Sequence, residues 1–262
     1  RLEPSNTRIA YLFSDGIIPG SIKAYETLLR ERPDLRDQLD IVWLSESTYD
    51  QTSRDDMVNA DVLVLDMMNE QILKRFNGQY GTDLIADITG EGAVIAIGMG
   101  LLGEEVYREQ GAILNDRAQS YWQNAGSSNQ LGLLKFALQQ AGIKGLVLPE
   151  PEASIDFGFY YPSGDGGRVF GRWEEFDAFR DAEGPRVAIS FYKASYYTGD
   201  MALIDAVIAE VEKQGGQAIP TFGYPGAIGY ENLLLNSDGS ARVDIALAAN
   251  LQFSDDKASG RL

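Results

Sequence analysis

Residues 186–220 constrain the fold more than any other part of the chain. They read RVAISFYKASYYTGDMALIDAVIAEVEKQGGQAIP. The opening run, 187–191, is β-branched and aromatic, the pattern of a buried strand. Met201, Ile204, Val207, Ile208 and Val211 then recur at helical spacing, with Asp200 placed to cap the helix and Gly215-Gly216 to end it. Residues 217–222 return as a second strand. A strand, a helix and a strand in this order make a parallel βαβ unit, and such units bind ligands where the first strand ends and the helix begins. That junction spans residues 192–200. Its Tyr192, Lys193, Tyr196 and Tyr197 suit a flat, anionic molecule, because phenol rings stack and an ammonium pairs with carboxylates.

The same alternation runs through the first half of the chain. Strands are expected at 7–13, 40–44, 62–65 and 93–97, with helices at 21–32, 54–60, 70–76, 104–110 and 128–141. This predicts an α/β protein with a parallel sheet. Residues 149–185 hold Pro149, Pro151 and Pro162 and the glycine-rich turn at 163–167. They read as a connection crossed by one short strand at 157–161 and followed by a helix at 173–179. The expected organisation is a first Rossmann-like domain over 1–148, the connection 149–185, and the start of a second α/β domain over 186–262. The first strand, RIAYLF from Arg8, and the later one, RVAISF from Arg186, share Arg, Ala and Phe in register, a hint of duplicated halves. With strands only at 186, 217 and 243–247, the second parallel sheet reads as incomplete, which favours a chain that is part of something longer.

Absences narrow the chemistry. The 262 residues include no Cys and no His. That excludes disulfides, thiolate chemistry, a Ser-His-Asp triad and the usual ligands of zinc or haem iron within this chain. Carboxylates alone hold Mg²⁺ or Ca²⁺ in other proteins, but no EF-hand spacing is present. The formal charge of −17 argues against nucleic acid and anionic membranes as partners. No apolar stretch approaches the ~20 residues that span a bilayer.

Several short motifs compete. Gly98-Met99-Gly100-Leu101-Leu102-Gly103 is a literal G-x-G-x-x-G between a strand and a helix, with Asp116 downstream, and would suit NAD(P) in an oxidoreductase. Against that, it follows the fourth strand rather than the first, and Glu104 and Glu105 stand where a pyrophosphate would sit. Asp66 and Met67, with Met68 and Asn69, occupy the end of the third strand, where α/β folds place sites. Ser14-Asp15-Gly16 holds the same place after the first strand. Trp122 and Asn124 read as structural, and Trp173, Phe176 and Phe179 as a helix face packed against a neighbouring domain. A non-enzymatic, two-lobed binding module is a further reading of the same architecture.

The stretch VAISFYKASYYTGDMALIDAVIAEVEKQGGQAIPTF at 187–222 is preceded, in order, by NAGSSNQL at 124–131, Tyr160-Tyr161-Pro162 and Trp173-Glu174-Glu175-Phe176. In that order these resemble the porphyrin-binding large subunit of cobalt and magnesium chelatases, the CobN/BchH/ChlH family. The resemblance runs from about residue 60 onward and is strongest in the last eighty or so residues. It implies an N-terminal, tetrapyrrole-binding portion of a larger subunit that inserts a metal into a porphyrin or corrin ring, or removes one. On that reading Tyr192, Lys193, Tyr196, Tyr197, Asp66 and Met67 contact the ring. No cofactor is bound directly, and ATP and Mg²⁺ act through AAA+ partner subunits. The family's metal-handling residues match nothing here, so no catalytic or metal-binding residue is carried over, and this stretch alone is expected to lack chelatase activity. The family default is cytoplasmic; a chain that starts at Arg1 rather than at an initiating Met, and that has no Cys, also suits a periplasmic mature protein.

Overall fold

The computed structural model describes residues 6–249 apart from 14–16, 46–47, 49–50, 68–69, 99–103, 125, 164–166, 181–182 and 224–225. The Ser14-Asp15-Gly16 turn, Met68 and Asn69, the glycine loop at 99–103 and the polar tail at 254–261 therefore lie outside the described residues. The chain divides into two compact units, Arg1–Ala153 and Ser154–Leu262.

The first unit runs β1 (Thr7–Phe13), α1 (Ile18–Glu31), a 3₁₀ turn (Pro33–Leu35), β2 (Leu39–Ser45), α2 (Gln51–Val58), β3 (Val62–Asp66), α3 (Glu70–Tyr80), α4 (Leu84–Thr89), β4 (Ala93–Ile97), α5 (Glu104–Glu109), α6 (Asp116–Asn124) and α7 (Gly126–Gln140). Its four strands form one parallel sheet in the order β2-β1-β3-β4. A parallel sheet needs cover on both faces, and β3 is accordingly apolar and buried along its whole length. One face packs Ile9, Tyr11 and Phe13 against α1 and α7; the other packs Ala10, Leu12, Leu44, Leu63 and Leu65 against α2, α3 and α4. The outer edge of β4 is closed by a bridge between Ile95 and Ile113, in which Ile113 N–H donates to the Val94 carbonyl at 2.7 Å. All four expected strands are present. Helices α4 and α6 were not anticipated, since α4 has only six residues, too few to show a helical period, and α6 carries few apolar residues.

The second unit runs β5 (Phe157–Tyr161), β6 (Arg168–Phe170), α8 (Trp173–Arg180), β7 (Arg186–Phe191), α9 (Lys193–Thr198), α10 (Ala202–Lys213), β8 (Gln217–Gly223), α11 (Gly226–Leu233) and β9 (Ile245–Ala248). Strands β8, β7 and β9 are parallel, as expected of the α/β class. The sheet nevertheless has five strands in the order β6-β5-β8-β7-β9, because an antiparallel hairpin joins its β8 side. The all-parallel expectation for this unit is thereby corrected. Residues counted within the 149–185 connection supply that hairpin, and the compact units divide at Ala153/Ser154. Strand pairing with β8 is a non-local event that no local pattern at 157–170 announces.

The hint of duplication is borne out in register. Arg8 pairs with Asp40 and Ile9 with Val62; Arg186 pairs with Gln217 and Val187 with Ile245. Each arginine takes part in the same reciprocal latch. Arg8 N–H donates to Asp61 Oδ2 at 2.8 Å while Asp61 N–H donates to the Arg8 carbonyl. Arg186 N–H donates to Asp244 Oδ2 at 2.8 Å while Asp244 N–H donates to the Arg186 carbonyl. An aspartate before the third strand thus fixes the start of the central strand twice over, and β1-α1-β2-α2-β3 is repeated as β7-α10-β8-α11-β9.

Two local expectations change. Asp200 does not cap the long helix: the N-cap is Met201, without a side-chain hydrogen bond, because residues 193–198 already form α9. Gly199, at φ 79°, ends α9 in the left-handed region and donates its N–H to the Ser195 and Tyr196 carbonyls. Trp173 and Phe176 serve their own unit rather than a neighbouring domain. Phe176 stacks on Phe159 with centroids 4.9 Å apart, and Trp173 meets Phe159 edge-on.

Candidate functional site

The junction at 192–200 is a helix lying at the C-terminal end of β7, the end at which α/β sheets bind ligands. Tyr192 is 38% exposed, at the N-cap of α9. Lys193 is held lightly: its Nζ lies 3.3 Å from the exposed carboxylate of Asp156 and 5.4 Å from the Tyr197 ring centroid. With Asp156 largely exposed and the pair at 3.3 Å, this ion pair contributes little to the fold.

Tyr196 and Tyr197 are half-buried, and both pack on the cluster built by Tyr160, Ile189, Phe191, Met201, Ile204 and Phe222. Tyr196 lies parallel to Phe222, with centroids 5.8 Å apart and planes 9° apart, and Tyr197 stands edge-on to it. Tyr197 Oη accepts a hydrogen bond from Ile155 N–H at 3.0 Å. Burial raises the pKa of both phenols, so they remain neutral donors at ordinary pH. Below them Tyr160 donates to Asp205 on α10 at 2.8 Å; burial first, then that carboxylate, pushes its pKa up. The result is a rigid aromatic shelf with one exposed tyrosine and one displaceable lysine at its rim.

Asp66 and Met67 belong to the other unit and are 4% and 6% exposed. Met67 packs with Leu12, Leu44 and Ile72 in the core beneath α3, which removes it from contact with any large ligand in this conformation. The glycine loop follows β4, the edge strand of the first sheet. Gly98 N–H, the described amide of that motif, is already donated to Gln119 Oε1 at 2.9 Å. A dinucleotide phosphate would have to displace that bond. Among the described residues no group of three or more acidic side chains converges to hold a metal ion.

Within the NAGSSNQL motif, Asn129 and Gln130 anchor α7 to its surroundings. Asn129 on α7 exchanges two hydrogen bonds with the Glu152 main chain, at 2.8 and 2.9 Å, and Gln130 meets Ser21 of α1 at 3.2 Å. Both are buried.

A hydroxyl cluster went unnoticed in the sequence. On the α11 face of the second sheet, Ser190 Oγ and Tyr230 Oη are 2.9 Å apart. Beside them Thr221, 2% exposed, buries a hydroxyl that has no hydrogen-bond partner among the described residues. With Gly223 and Gly229 they line a cavity of about 10 Å³. The two glycines touch: a Cβ on Gly223 would stand 3.1 Å from the Gly229 Cα. By register Ser190 and Thr221 occupy the places of Leu12 and Leu44 in the first unit. The departure of polar residues from that apolar pattern was the available signal, and it becomes readable only once the duplication is in register.

Comparison with known proteins agrees with the fold and fixes the family. The structure resembles the catalytic subunit of cobaltochelatase from Mycobacterium tuberculosis, with a TM-score of 0.51 and 15% sequence identity. The match covers 84% of this chain and 16% of that subunit, so the chain spans a small part of the length of the protein it resembles. At this identity the likeness speaks for the fold. No curated relative matches the sequence. The family model described as CobN/Magnesium Chelatase matches residues 119–260, more than half of the chain and the whole of the α9 region. The chain is a member of the CobN/magnesium chelatase family.

Proposed function

We propose that this chain is a tetrapyrrole-holding, N-terminal portion of a CobN-like chelatase large subunit. The single observation that carries the reading is family membership over 119–260, a stretch that contains the aromatic helix α9. Tyr196 and Tyr197, half-buried and backed from beneath by the buried ring of Phe222, support a planar ring by stacking, with Tyr192 at the exposed rim. Lys193 pairs with a propionate or similar acidic substituent after release from Asp156. The metal enters or leaves the ring as substrate. With no imidazole or thiol in the sequence, its handling falls to residues elsewhere in the subunit. ATP and Mg²⁺ act through AAA+ partners. No helix among the described residues is long and apolar enough to cross a membrane, and the proposed compartment is the cytoplasm, with the periplasm as the alternative.

The test is a titration of the chain with porphyrin and corrin ligands, followed by Soret or corrin absorbance. A saturable spectral shift is expected, weakened about tenfold by Lys193→Ala (the loss of one charge-assisted contact) and less by Tyr192→Phe. Absence of any shift with all rings would overturn the reading. Metal insertion by the isolated chain would overturn the assignment of metal handling to other residues.

A further inference from the structure

The duplication identifies a surface that the described residues of the second unit leave uncovered. By register Val62 and Val64 of β3 correspond to Ile245 and Leu247 of β9. The first pair is fully buried, whereas Ile245 is 51% and Leu247 43% exposed. In the first unit β3 is flanked on its far side by β4, and α7 covers the sheet face beside α1. In the second unit β9 is the last strand of the sheet, and among the described residues no strand pairs with its outer edge. Beside α10, where the first unit seats α7 next to α1, lies an open apolar groove of about 510 Å³ lined by Val187, Val207, Val211 and Leu247. An exposed apolar strand edge beside an apolar groove is an aggregation hazard unless something pairs with it.

The geometry points to one occupant: a fourth parallel strand, joined to an amphipathic helix, contributed by the same polypeptide outside residues 1–262. The strand pairs with β9 as β4 pairs with β3, and the helix fills the α10 groove as α7 fills the space beside α1. Parallel pairing favours the same polypeptide, because neighbouring parallel strands are joined by helical crossovers of a dozen or more residues. The matched solved subunit has room for such a segment, since this chain accounts for 16% of it. The strand expected is apolar and uncharged, in the manner of AVIAI in β4, with an apolar helix stripe wide enough to reach Val207 and Val211. This inference rests on the larger-subunit half of the proposed function and is independent of the pigment.

The test compares amide hydrogen exchange at residues 245–248 in the 1–262 chain and in the natural full-length product. Protection at least about 100-fold greater in the full-length product is expected, with Leu247→Lys lowering its melting temperature by several degrees and leaving that of the 1–262 chain within a degree. Equal, fast exchange in both would overturn the inference. So would a 1–262 dimer, seen by sedimentation, whose 245–248 amides are protected, because the occupant would then be a second copy. A native product whose intact mass equals that of 1–262 would instead overturn the larger-subunit reading itself, which keeps the two failures apart.

Discussion

The two units share a β-α-β-α-β frame down to the hydrogen bonds that start it, yet they differ at two places. Where the first unit fills the ends of its two leading strands with Leu12 and Leu44, the second places Ser190 and Thr221 with Tyr230 over a small cavity. Where the first closes its sheet with β4 and the Ile95–Ile113 bridge, the second, among the described residues, has β9 as its last strand and grows on the opposite side through an antiparallel hairpin. The repeated latches fix the frame, so they report on folding. The differences fall at the strand ends and the sheet edge, the places where α/β proteins meet their ligands and partners.

The comparison can be broken by exchanging its elements. The largest effect is expected from giving the first unit the polar residue of the second. Leu44→Thr removes buried methyls and buries a hydroxyl, and should cost about 3 kcal/mol in urea unfolding of the first unit. A loss below about 1 kcal/mol would show that the two positions are not equivalent in packing.

The latches should behave alike. Asp61→Ala and Asp244→Ala each remove a carboxylate that accepts a backbone N–H, and each should cost about 1–2 kcal/mol in its own unit. A large effect on one side with none on the other would sink the claim of a shared frame.

Tyr160→Phe deletes the hydroxyl that meets Asp205 and should cost about 1 kcal/mol near neutral pH. Its pH dependence has a definite sign. Tyr160 has its pKa raised by burial and by Asp205, so the neutral phenol is the form the fold prefers. Its stabilisation is complete below the unfolded value near 10 and is lost as pH rises toward the folded one. Alkaline unfolding should therefore be shallower in Tyr160→Phe than in the parent, as followed by circular dichroism between about pH 9 and 12. The smallest effect is Thr221→Val, which replaces an unpartnered buried hydroxyl by a methyl and should stabilise the second unit by about 0.5–1 kcal/mol.

Much of the frame was legible because parallel strands buried on both faces write themselves as continuous apolar runs. Strands β1 and β4 sit where the pattern places them, and β3 differs by one residue at its end. Helices α4 and α11 were not legible: one has six residues and the other a weak apolar face, so neither carries the periodicity that identifies a helix. Strand β5 sits at the expected 157–161, but β6 and the hairpin's place in the sheet escaped for a different reason. Its place is fixed by pairing with β8 more than fifty residues later, a contact that no local window contains. The position of Tyr192 and Lys193 directly after β7 was readable from the strand pattern. The parallel stacking of Tyr196 on Phe222 was not, because it depends on α9 forming where a loop had been expected.

The central claim is that the shelf of the second unit, rather than the strand end at Asp66 and Met67 in the first, receives a tetrapyrrole. The most direct measurement is the dissociation constant of one porphyrin for the parent chain, for Tyr192→Ala/Lys193→Ala and for Asp66→Asn, each verified as folded. The account predicts a loss of at least about tenfold in the α9 double variant and a change of less than about twofold in Asp66→Asn. Unchanged affinity in the double variant, or a loss confined to Asp66→Asn, would contradict it.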